Sequence, residues 1–462
     1  MSERASRQRP HILVVGGGYV GMYAALRLHK RLRRDEAMVT VIDPLSYMTY
    51  QPFLPEAAAG NLEPRHVVVP LRRVLPRAQV LNGRVTRIEH ARRVVNFLPN
   101  AGDAVEISYD VLVVALGSIA RTLPIPGLAE NGVGFKTVGE AIFLRNHVLA
   151  KLDIAASTSD AELRKRALTF VFVGGGYAGV EAFAELEDMA RDACKSYDGI
   201  EPSDMRWVLV EATDRILPEV SRDMGEYTVR ELQGRGMEVR LNTRLNSAVD
   251  HHIVLSDGEE FDADTLVWTA GVKPNPVVAQ SDLPVDEKGR LRATEYLTIA
   301  GVDDAWAAGD CAAVPDVTRP GNFCGPSAQH AVRQAKQLGD NLAAVLRGGK
   351  PTEYRHSYAG SVASLGLHKG VAQIYGIKIR GFPAWFMHRT YHVSRVPTFN
   401  RKVRVIADWT LALFFRREIV SLGALQNPRE EFEMATRPPL PPDSAPAPAR
   451  RRPAKKASKP GG

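Results

Sequence analysis

The stretch GGGYVG at residues 16–21 decides the fold of this chain. It follows a short apolar run at residues 12–15, which is typical of a buried strand, and precedes a helical pattern that extends to about residue 34. A second apolar run at residues 38–42 ends at Asp43. This β-α-β order predicts parallel strands joined by a right-handed crossover.

The spacing of the glycines, G-x-G-x-x-G, has a physical reason at each position. Gly16 permits a tight turn, Gly18 lets the backbone approach a diphosphate, and Gly21 allows the helix to pack closely on the strand. The N–H groups and the dipole of the helix N-terminus then attract the diphosphate. Asp43 is placed to accept hydrogen bonds from ribose hydroxyls, so the unit predicts a bound dinucleotide.

The same pattern recurs at residues 174–179, which read GGGYAG. A strand is predicted at residues 168–173, a helix at residues 180–193 and a further strand at residues 207–210, which ends at Glu211. The chain therefore carries two β-α-β units, each with a dinucleotide site. The carboxylate of Glu211 would repel a 2′-phosphate, which favours NADH over NADPH.

Two dinucleotides in one chain indicate a redox pair. A nicotinamide and a flavin provide a hydride donor and a hydride acceptor, whereas two nicotinamide sites lack an obvious reaction. The two glycine loops alone leave open which of them takes which cofactor.

Three further stretches resemble one family of flavoproteins. They are VLVVALGS at residues 111–118, VWTAGV at residues 267–272 and WAAGDC at residues 306–311. With the glycine loops, they resemble the two-dinucleotide-binding flavoprotein superfamily and, within it, the type II NADH dehydrogenases. The resemblance implies an α/β fold with two Rossmann-like domains, in which an NADH-binding domain is inserted in an FAD-binding domain, followed by a C-terminal membrane-docking region.

The resemblance also implies domain limits and cofactor contacts. The FAD-binding domain is expected at residues 10–136 and 276–350, the NADH-binding domain at 137–275, and the docking region, a hairpin and amphipathic helices, at 351–435, between disordered ends at 1–9 and 436–462. In this superfamily, the Gly-Asp pair matched by Gly309 and Asp310 contacts the flavin ribitol and diphosphate. The residues expected to contact one or other cofactor are Gly16, Gly18, Tyr19, Val20, Gly21, Asp43, Ala115, Gly117, Gly174, Gly176, Tyr177, Gly179, Glu211, Gly271, Gly309, Asp310, Ala328 and Gln329.

Residues 327–334, SAQHAVRQ, resemble the helix that lines the flavin ring and the quinone pocket in the type II enzymes. The family pattern is A-Q-x-A-x-Q, and it is matched through Gln329 and Ala331. The sixth position is Arg333, and Gln334 follows one residue late, which rotates its side chain by about 100° on a helix. Gln329 is expected to act in catalysis; alternatively, it is a polar residue at a helix N-terminus.

Two charged residues complete the catalytic set that the resemblance implies. Glu181 directly follows the second glycine loop, where the family has a glutamate close to the nicotinamide and the flavin. It is expected to orient the nicotinamide or relay a proton, or to complement the helix dipole as a first-turn acid. Lys369 resembles a basic position near the isoalloxazine, where a cation favours the anionic reduced flavin; alternatively, it is a solvated hairpin residue.

Composition limits the other possibilities. The 462 residues, of which 45% are hydrophobic and 24% charged, are enough for two or three globular domains. The three cysteines form no CxxC pair, so neither a disulfide framework nor a metal site is expected. A sulfide:quinone reductase, which uses its cysteines, is an alternative to buried, unreactive thiols. No run reaches the roughly 20 apolar residues of a transmembrane helix.

Part of the net charge of +8 lies near the C-terminus. Residues 381–417 mix aromatic side chains with arginine and lysine, which suits amphipathic helices in the headgroup layer of an anionic membrane. A dimer interface or a plain C-terminal domain is the alternative, and a homodimer can coexist with docking. The basic tail at residues 450–459 is expected to be solvated, so nucleic acid is not an expected partner. A peripheral location at the inner, cytoplasmic face of the cell membrane follows.

The residues and the resemblance together predict an FAD-dependent oxidoreductase. NADH gives a hydride to the flavin, which passes two electrons to a membrane quinone without proton pumping. Two alternatives remain open. A soluble FAD/NADH oxidoreductase would use a protein or small-molecule acceptor, and a redox-sensing binding protein would be switched by NADH and reduce its flavin only once.

Overall fold

The structure is a computed structural model that describes residues 9–356 and 360–422, together with Arg429 and Glu433. The described residues up to Ser421 belong to one compact unit. The predicted disordered ends lie outside the described residues, apart from Arg9, and so does most of the stretch 423–435 of the predicted docking region.

The first glycine loop follows an inner strand of a seven-stranded sheet. In spatial order, the strands of this first sheet are Ala305–Ala307, Val111–Val114, His11–Val15, Met38–Asp43, Gln79–Glu89, Val94–Pro99 and Val105–Ser108. The first five are parallel, and the last two continue the sheet as an antiparallel meander. Every residue of Val111–Val114 is buried, and so is every residue of His11–Val15 except His11. Because both faces of these strands are covered, their sequences are apolar without interruption.

The second glycine loop belongs to a second sheet of five parallel strands. In spatial order, they are Gly132–Gly134, Thr265–Trp268, Thr169–Val173, Arg206–Val210 and Glu238–Arg240. All five lie in the chain between two neighbouring strands of the first sheet. The structure therefore confirms the predicted α/β fold with a second parallel sheet inserted in the first. The inserted sheet begins at Gly132 rather than at residue 137, because Gly132–Gly134 pairs with Thr265–Trp268.

Each glycine loop leads directly into a helix. Tyr19–Arg31 follows the first loop and packs on Ala328–Leu346, and Tyr177–Ala193 follows the second loop and is buried over most of its length. Neither loop helix has a side-chain cap or an acidic residue in its first turn. Their first N–H groups are therefore available to a bound anion.

The remaining helices connect and cover the sheets. They are Leu54–Ala58, Leu71–Val74, Leu128–Asn131, Val138–Ser157, Ala161–Ala167, Arg222–Gln233, Phe382–Arg395 and Phe399–Leu411. Single 3-10 turns are Gln51–Phe53, Pro64–His66, His90–Arg92, Cys194–Ser196, Pro202–Asp204, Val249–His251, Pro276–Gln280 and Gly309–Cys311. Within the described ranges, no helix combines the length and the apolar character needed to cross a membrane.

A three-stranded antiparallel sheet precedes the last two helices. Its strands are Gly360–Ser364, Gly370–Ile374 and Ile377–Arg380. The helices Phe382–Arg395 and Phe399–Leu411 follow it and are called the C-terminal helices below. The other short strands are Tyr47–Thr49, Val68–Pro70, Ser118–Ala120, Leu245–Ser247, His252–Leu255, Glu260–Asp262, Val272–Pro274, Leu291–Arg292 and Ala312–Ala313.

Candidate active site

The first glycine loop is fixed by hydrogen bonds to the strand Met38–Asp43. Gly16 N donates to this strand, and Gly17 N donates to Asp43 Oδ2 at 2.6 Å. Gly16 has a φ of +104°, a left-handed value that favours glycine. A Cβ added to Gly18 would meet no atom within 4 Å. The backbone at Gly18 is therefore open to the close approach of a ligand.

A cavity of about 240 Å³ lies beside this loop. Asp43 borders it, with Oδ1 accepting from Leu45 N at 2.7 Å. Burial raises the pKa of Asp43, and the hydrogen bonds from Gly17 and Leu45 oppose that shift. The predicted residues that line this smaller cavity are Gly16, Gly18, Tyr19, Val20, Asp43, Ala115, Gly117, Gly309 and Asp310. Gly21 does not line it and instead brings the helix against the loop.

The second glycine loop repeats the geometry of the first. Gly175 N donates to Glu211 Oε2 at 2.6 Å, as Gly17 does to Asp43. Glu211 Oε1 accepts from Thr213 N and Thr213 Oγ1, both at 2.8 Å. Gly174 has a φ of +117°, and a Cβ on Gly176 would meet no atom within 4 Å. A second open backbone edge beside a carboxylate results.

A larger cavity of about 940 Å³ lies between the two sheets and the C-terminal part of the compact unit. The predicted residues that line this larger cavity are Tyr19, Tyr177, Glu181, Gly271, Asp310, Ala328 and Gln329. The predicted residues Gly174, Gly176, Gly179 and Glu211 line neither cavity.

The smaller and larger cavities share part of their walls. Tyr19 and Asp310 line both of them. Gln329 Oε1 is buried at the larger cavity without a hydrogen-bond partner among the described residues, although Gln329 Nε2 donates to Gly360 O at 3.1 Å. The two cavities are therefore neighbours, and the larger one contains a buried amide oxygen that has no donor among the described residues.

Glu181 is buried at the wall of the larger cavity. Its Oε1 accepts from Ser364 N at 2.8 Å and lies 3.1 Å from His388 Nε2. Burial disfavours the charged imidazole of His388, but the adjacent carboxylate of Glu181 and the carboxylates of Glu56 and Glu185 raise its pKa. Because the helix Tyr177–Ala193 has no acid in its first turn, the alternative interpretation of Glu181 as a first-turn acid is wrong.

A cluster of buried charges extends from Glu181 away from the cavity. Glu185 Oε1 accepts from Ser364 Oγ at 2.6 Å, and Glu185 Oε2 accepts from Asn61 Nδ2 at 3.2 Å. Burial, together with the charges of Glu56 and Asp188, raises the pKa of Glu185 to about 7. One end of this cluster is thus an acid that changes its charge near neutral pH.

The C-terminal helices bind to this cluster through Arg389. Its guanidinium lies 2.8 Å from Glu56 Oε2 and is enclosed by the rings of Trp385 and Trp409. Trp409 Nε1 also donates to Glu56 Oε2 at 2.8 Å. The prediction that the cations of residues 381–417 face lipid headgroups is wrong for Arg389, because its side chain is only 10% exposed.

The predicted quinone helix begins at its cap Ser327, whose Oγ accepts from His330 N at 3.1 Å. Arg333 lines the larger cavity. Gln334 is buried, and its Oε1 accepts from Gly309 N at 2.8 Å, which fixes the loop that carries Asp310. The two residues therefore face different sites, as the rotation between successive helical residues requires.

Lys369 lies outside both cavities. Its ammonium is 3.4 Å from Glu231 Oε2 on the helix Arg222–Gln233, and the side chain is 44% exposed. The place of Lys369 beside the flavin ring therefore stays a prediction, and the hairpin turn directs its side chain toward Glu231. Among the residues that line both cavities, the cation is Lys136, which no sequence motif singles out.

The three cysteines are buried free thiols. Burial raises the pKa of Cys311 and of Cys324 to about 11, so both favour the protonated, unreactive form. Within the described ranges, no group of histidine, cysteine, aspartate or glutamate side chains is arranged to hold a metal ion.

Comparison with known proteins identifies the family. The pyridine nucleotide-disulphide oxidoreductase family matches residues 10–335. The type II NADH:quinone oxidoreductase of Staphylococcus saprophyticus is 31% identical over 398 residues, which cover 85% of this chain and 96% of that protein. The protein of the same name from Staphylococcus aureus is 30% identical over 398 residues, which cover 85% of this chain and 96% of that protein. The structure of NDH2 from Plasmodium falciparum in complex with NADH has the same fold, with a TM-score of 0.83 at 17% identity over 89% of this chain and 100% of that chain. This chain therefore belongs to the type II NADH:quinone oxidoreductases, within the pyridine nucleotide-disulphide oxidoreductase family.

Proposed function

We propose that this chain is an FAD-dependent NADH dehydrogenase that reduces a membrane quinone. The observation that supports this most directly is the repeated glycine loop. In each loop, the backbone at the third glycine is open, and the N–H of the second glycine donates to a carboxylate on the next strand. Each loop then leads into a helix without a side-chain cap. Such a loop suits one dinucleotide. Residues of the first loop line the smaller cavity, and Tyr177 of the second loop lines the larger one.

The residues beside the first loop fit FAD. Gly18 leaves room for a diphosphate, Asp43 presents a carboxylate to a ribose, and Asp310 lies where the smaller cavity opens into the larger. When bound, FAD supplies a ring that accepts a hydride from NADH and returns two electrons to an acceptor. We assign residues 10–131 and 276–350 to FAD binding and the inserted residues 132–275 to NADH binding.

The protein residues orient the substrates and carry protons. Glu211 beside the second loop disfavours a 2′-phosphate, and Glu181 places a carboxylate at the larger cavity wall. Reduction of a quinone by NADH consumes one proton from the medium for each quinol formed. Glu181, whose Oε1 accepts from Ser364 N and lies 3.1 Å from His388 Nε2, is placed at the cavity wall to relay such a proton.

The alternatives are separated by one set of measurements on the purified protein. The visible spectrum should show a flavin, anaerobic NADH should bleach it, and a quinone should restore it through many turnovers. A sensor would be bleached once and then stall, and a soluble oxidoreductase would turn over with a protein or small oxidant but not with quinone. A protein that holds no flavin after reconstitution contradicts the proposal.

Replacing Gly176 with alanine should weaken NADH binding without loss of flavin. The added Cβ meets no protein atom within 4 Å, so the fold tolerates it, but it occupies the approach of the diphosphate. We expect the KM for NADH to rise by at least about tenfold, equivalent to about 1.4 kcal/mol of binding free energy. Gly139→Ala, on the helix Val138–Ser157, is the control and should leave the KM unchanged. Loss of the flavin from Gly176→Ala would contradict the assignment of the two loops.

We propose that the outer face of the C-terminal helices and the turn after them contact an anionic membrane at the inner, cytoplasmic face of the cell membrane. Phe399 is 81% exposed, and Leu413, Phe414 and Phe415 are 76%, 77% and 68% exposed. Exposed cations such as Arg404 flank these apolar side chains. Helices that lie in a membrane interface place their aromatic rings at the acyl boundary and their cations at the lipid phosphates. Contact between two copies through the same face, a homodimer, is the alternative use.

Replacing Phe414 and Phe415 together with serine should reduce vesicle binding. Burial of one phenylalanine stabilises by about 1.5–3 kcal/mol, so we expect sedimentation with phosphatidylglycerol vesicles to weaken by at least about tenfold. NADH oxidation with a water-soluble quinone should remain. Phe323→Ser, which removes a ring that is 50% exposed in a different loop, is the control. A change in oligomeric state without a change in vesicle binding would favour the homodimer interface.

A further inference from the structure

Lys136 lies where the two cavities meet. Only a few residues line both of them: Tyr19, Gln51, Lys136, Asp310 and Ala331. Lys136 is the single cation among these shared residues. A ligand that passes from the first glycine loop into the larger cavity must therefore pass beside this ammonium group.

The backbone of Lys136 is held on both sides. Lys136 N donates to Glu140 Oε2 at 2.8 Å, and Lys136 O accepts from Gln51 Nε2 at 3.2 Å. The next residue, Thr137, forms a capping box with Glu140 at the start of the helix Val138–Ser157. The side chain therefore leaves a fixed point just after Gly132–Gly134, the first strand of the second sheet along the chain.

The side chain reaches across to the first sheet. Lys136 Nζ donates to Ser118 Oγ, and Ser118 Oγ donates in turn to Asp310 Oδ2 at 2.6 Å. Nζ itself is 3.9 Å from Asp310 Oδ2, and the Lys136 side chain is 27% exposed. In the described part of the chain, Ser118 Oγ is the only hydrogen-bond acceptor of Nζ. An ammonium has three N–H donors, so donors remain for a ligand in the cavity.

The charge of Lys136 is incompletely compensated in the protein alone. Burial lowers the pKa of Lys136, and the carboxylates of Asp310 and Glu140 oppose that shift. Asp310 is already hydrogen-bonded by Ser118, and Glu140 accepts from the backbone and from Thr137 Oγ1. An additional negative charge at the junction would satisfy the ammonium better than water can, because the site is largely enclosed.

We propose that Lys136 is the cation that stabilises the reduced form of the FAD cofactor, an inference that rests on the proposed function. Transfer of a hydride turns NADH into NAD⁺ and gives the bound ring two electrons and one proton. The ring thereby gains one negative charge. Lys136 would compensate part of that charge from the junction of the cavities, where its ammonium has N–H donors left for the cofactor.

The proposal is tested through the midpoint potential of the bound flavin, measured by anaerobic dye equilibration on the purified holoenzyme. Lys136→Met should weaken the binding of reduced relative to oxidised flavin by at least tenfold. For a two-electron couple, this corresponds to a fall of about 30 mV. Lys136→Arg should restore most of the wild-type potential. Lys195→Met is the control, because Lys195 lies outside both cavities and its exposed ammonium pairs with Asp192 at 2.7 Å. The potential of this variant should equal that of the wild type.

The outcomes separate this inference from the proposed function. A wild-type potential in Lys136→Met overturns the role of Lys136 and leaves the enzyme as proposed. If Lys136→Met does not retain its cofactor, Lys136→Gln is measured instead, because glutamine keeps a hydrogen-bond donor without the charge. A wild-type potential in Lys136→Gln also overturns the proposal. Equal falls in Lys136→Met and Lys195→Met would show a general surface-charge effect and also overturn it. A wild-type protein that binds no flavin instead defeats the proposed function.

Discussion

Gly21→Ala is expected to lose nearly all of its flavin. A Cβ at this position would lie 1.7 Å from Gly16 O and 3.2 Å from Val14 Cγ1, which no rotamer can relieve because the obstacle is mainly backbone. The helix must move away from the strand, and overpacking of this kind costs about 1–3 kcal/mol or more. We expect flavin content, measured as the ratio of visible to ultraviolet absorbance, to fall by at least about tenfold.

Gly18→Ala distinguishes a steric effect on the fold from one on the ligand. Its Cβ would stand in open space, so the thermal unfolding temperature of the apoprotein should match that of the wild type. Its flavin affinity should nevertheless fall, because the methyl group occupies the approach to the diphosphate. Normal flavin content in Gly21→Ala would refute the role of this loop.

Arg389→Met is expected to lower the free energy of unfolding by roughly 3 kcal/mol. Breaking a buried ion pair leaves its partner charge unpaired, here Glu56, which is 1% exposed, and such losses are about 3–5 kcal/mol. Because Arg389 also lies against Trp385 and Trp409, the C-terminal helices should detach first. Urea unfolding measures the loss, and limited proteolysis should cut within these helices.

A double substitution tests whether the unpaired carboxylate is the cause. Glu56→Gln combined with Arg389→Met should be less destabilising than the sum of the two single changes. Arg404→Met removes an exposed arginine from the same pair of helices and should change stability by less than about 0.5 kcal/mol. Equal losses in Arg389→Met and Arg404→Met would mean that charge in general, and not the pair with Glu56, holds the helices.

The features that the sequence predicted well are local. The turns at Gly16 and Gly174 could be predicted because a turn with a left-handed φ needs glycine. The apolar runs before these glycines have the composition of strands that are buried on both faces. Asp43 and Glu211 could be predicted beside the glycine loops because each crossover helix returns the chain to the neighbouring parallel strand. Local spacing is sufficient for such features.

The features that the sequence did not predict are contacts between distant segments. The pair of Glu181 and His388 joins the second glycine loop to a C-terminal helix, and nothing near either residue indicates the other. The contact of Lys369 with Glu231 could not be predicted, because a family motif gives no direction to a side chain in a hairpin turn. His368, just before it, has a φ of +65°, which helps to set that direction. Lys136 escaped notice for the same reason, since its partner Ser118 lies on another strand.

The insertion of one sheet within the other sets an order on biosynthesis. Ala305 pairs with Leu112, and the whole inserted sheet is synthesised between them. Until Ala305–Ala307 leaves the ribosome, the nascent chain exposes the unpaired edge of Val111–Val114, a template for wrong partners. Closing so long a loop is slow. Gly309 and Asp310, which line the smaller cavity, follow that late strand. A nascent chain that ends before residue 305 therefore lacks part of the wall of this cavity.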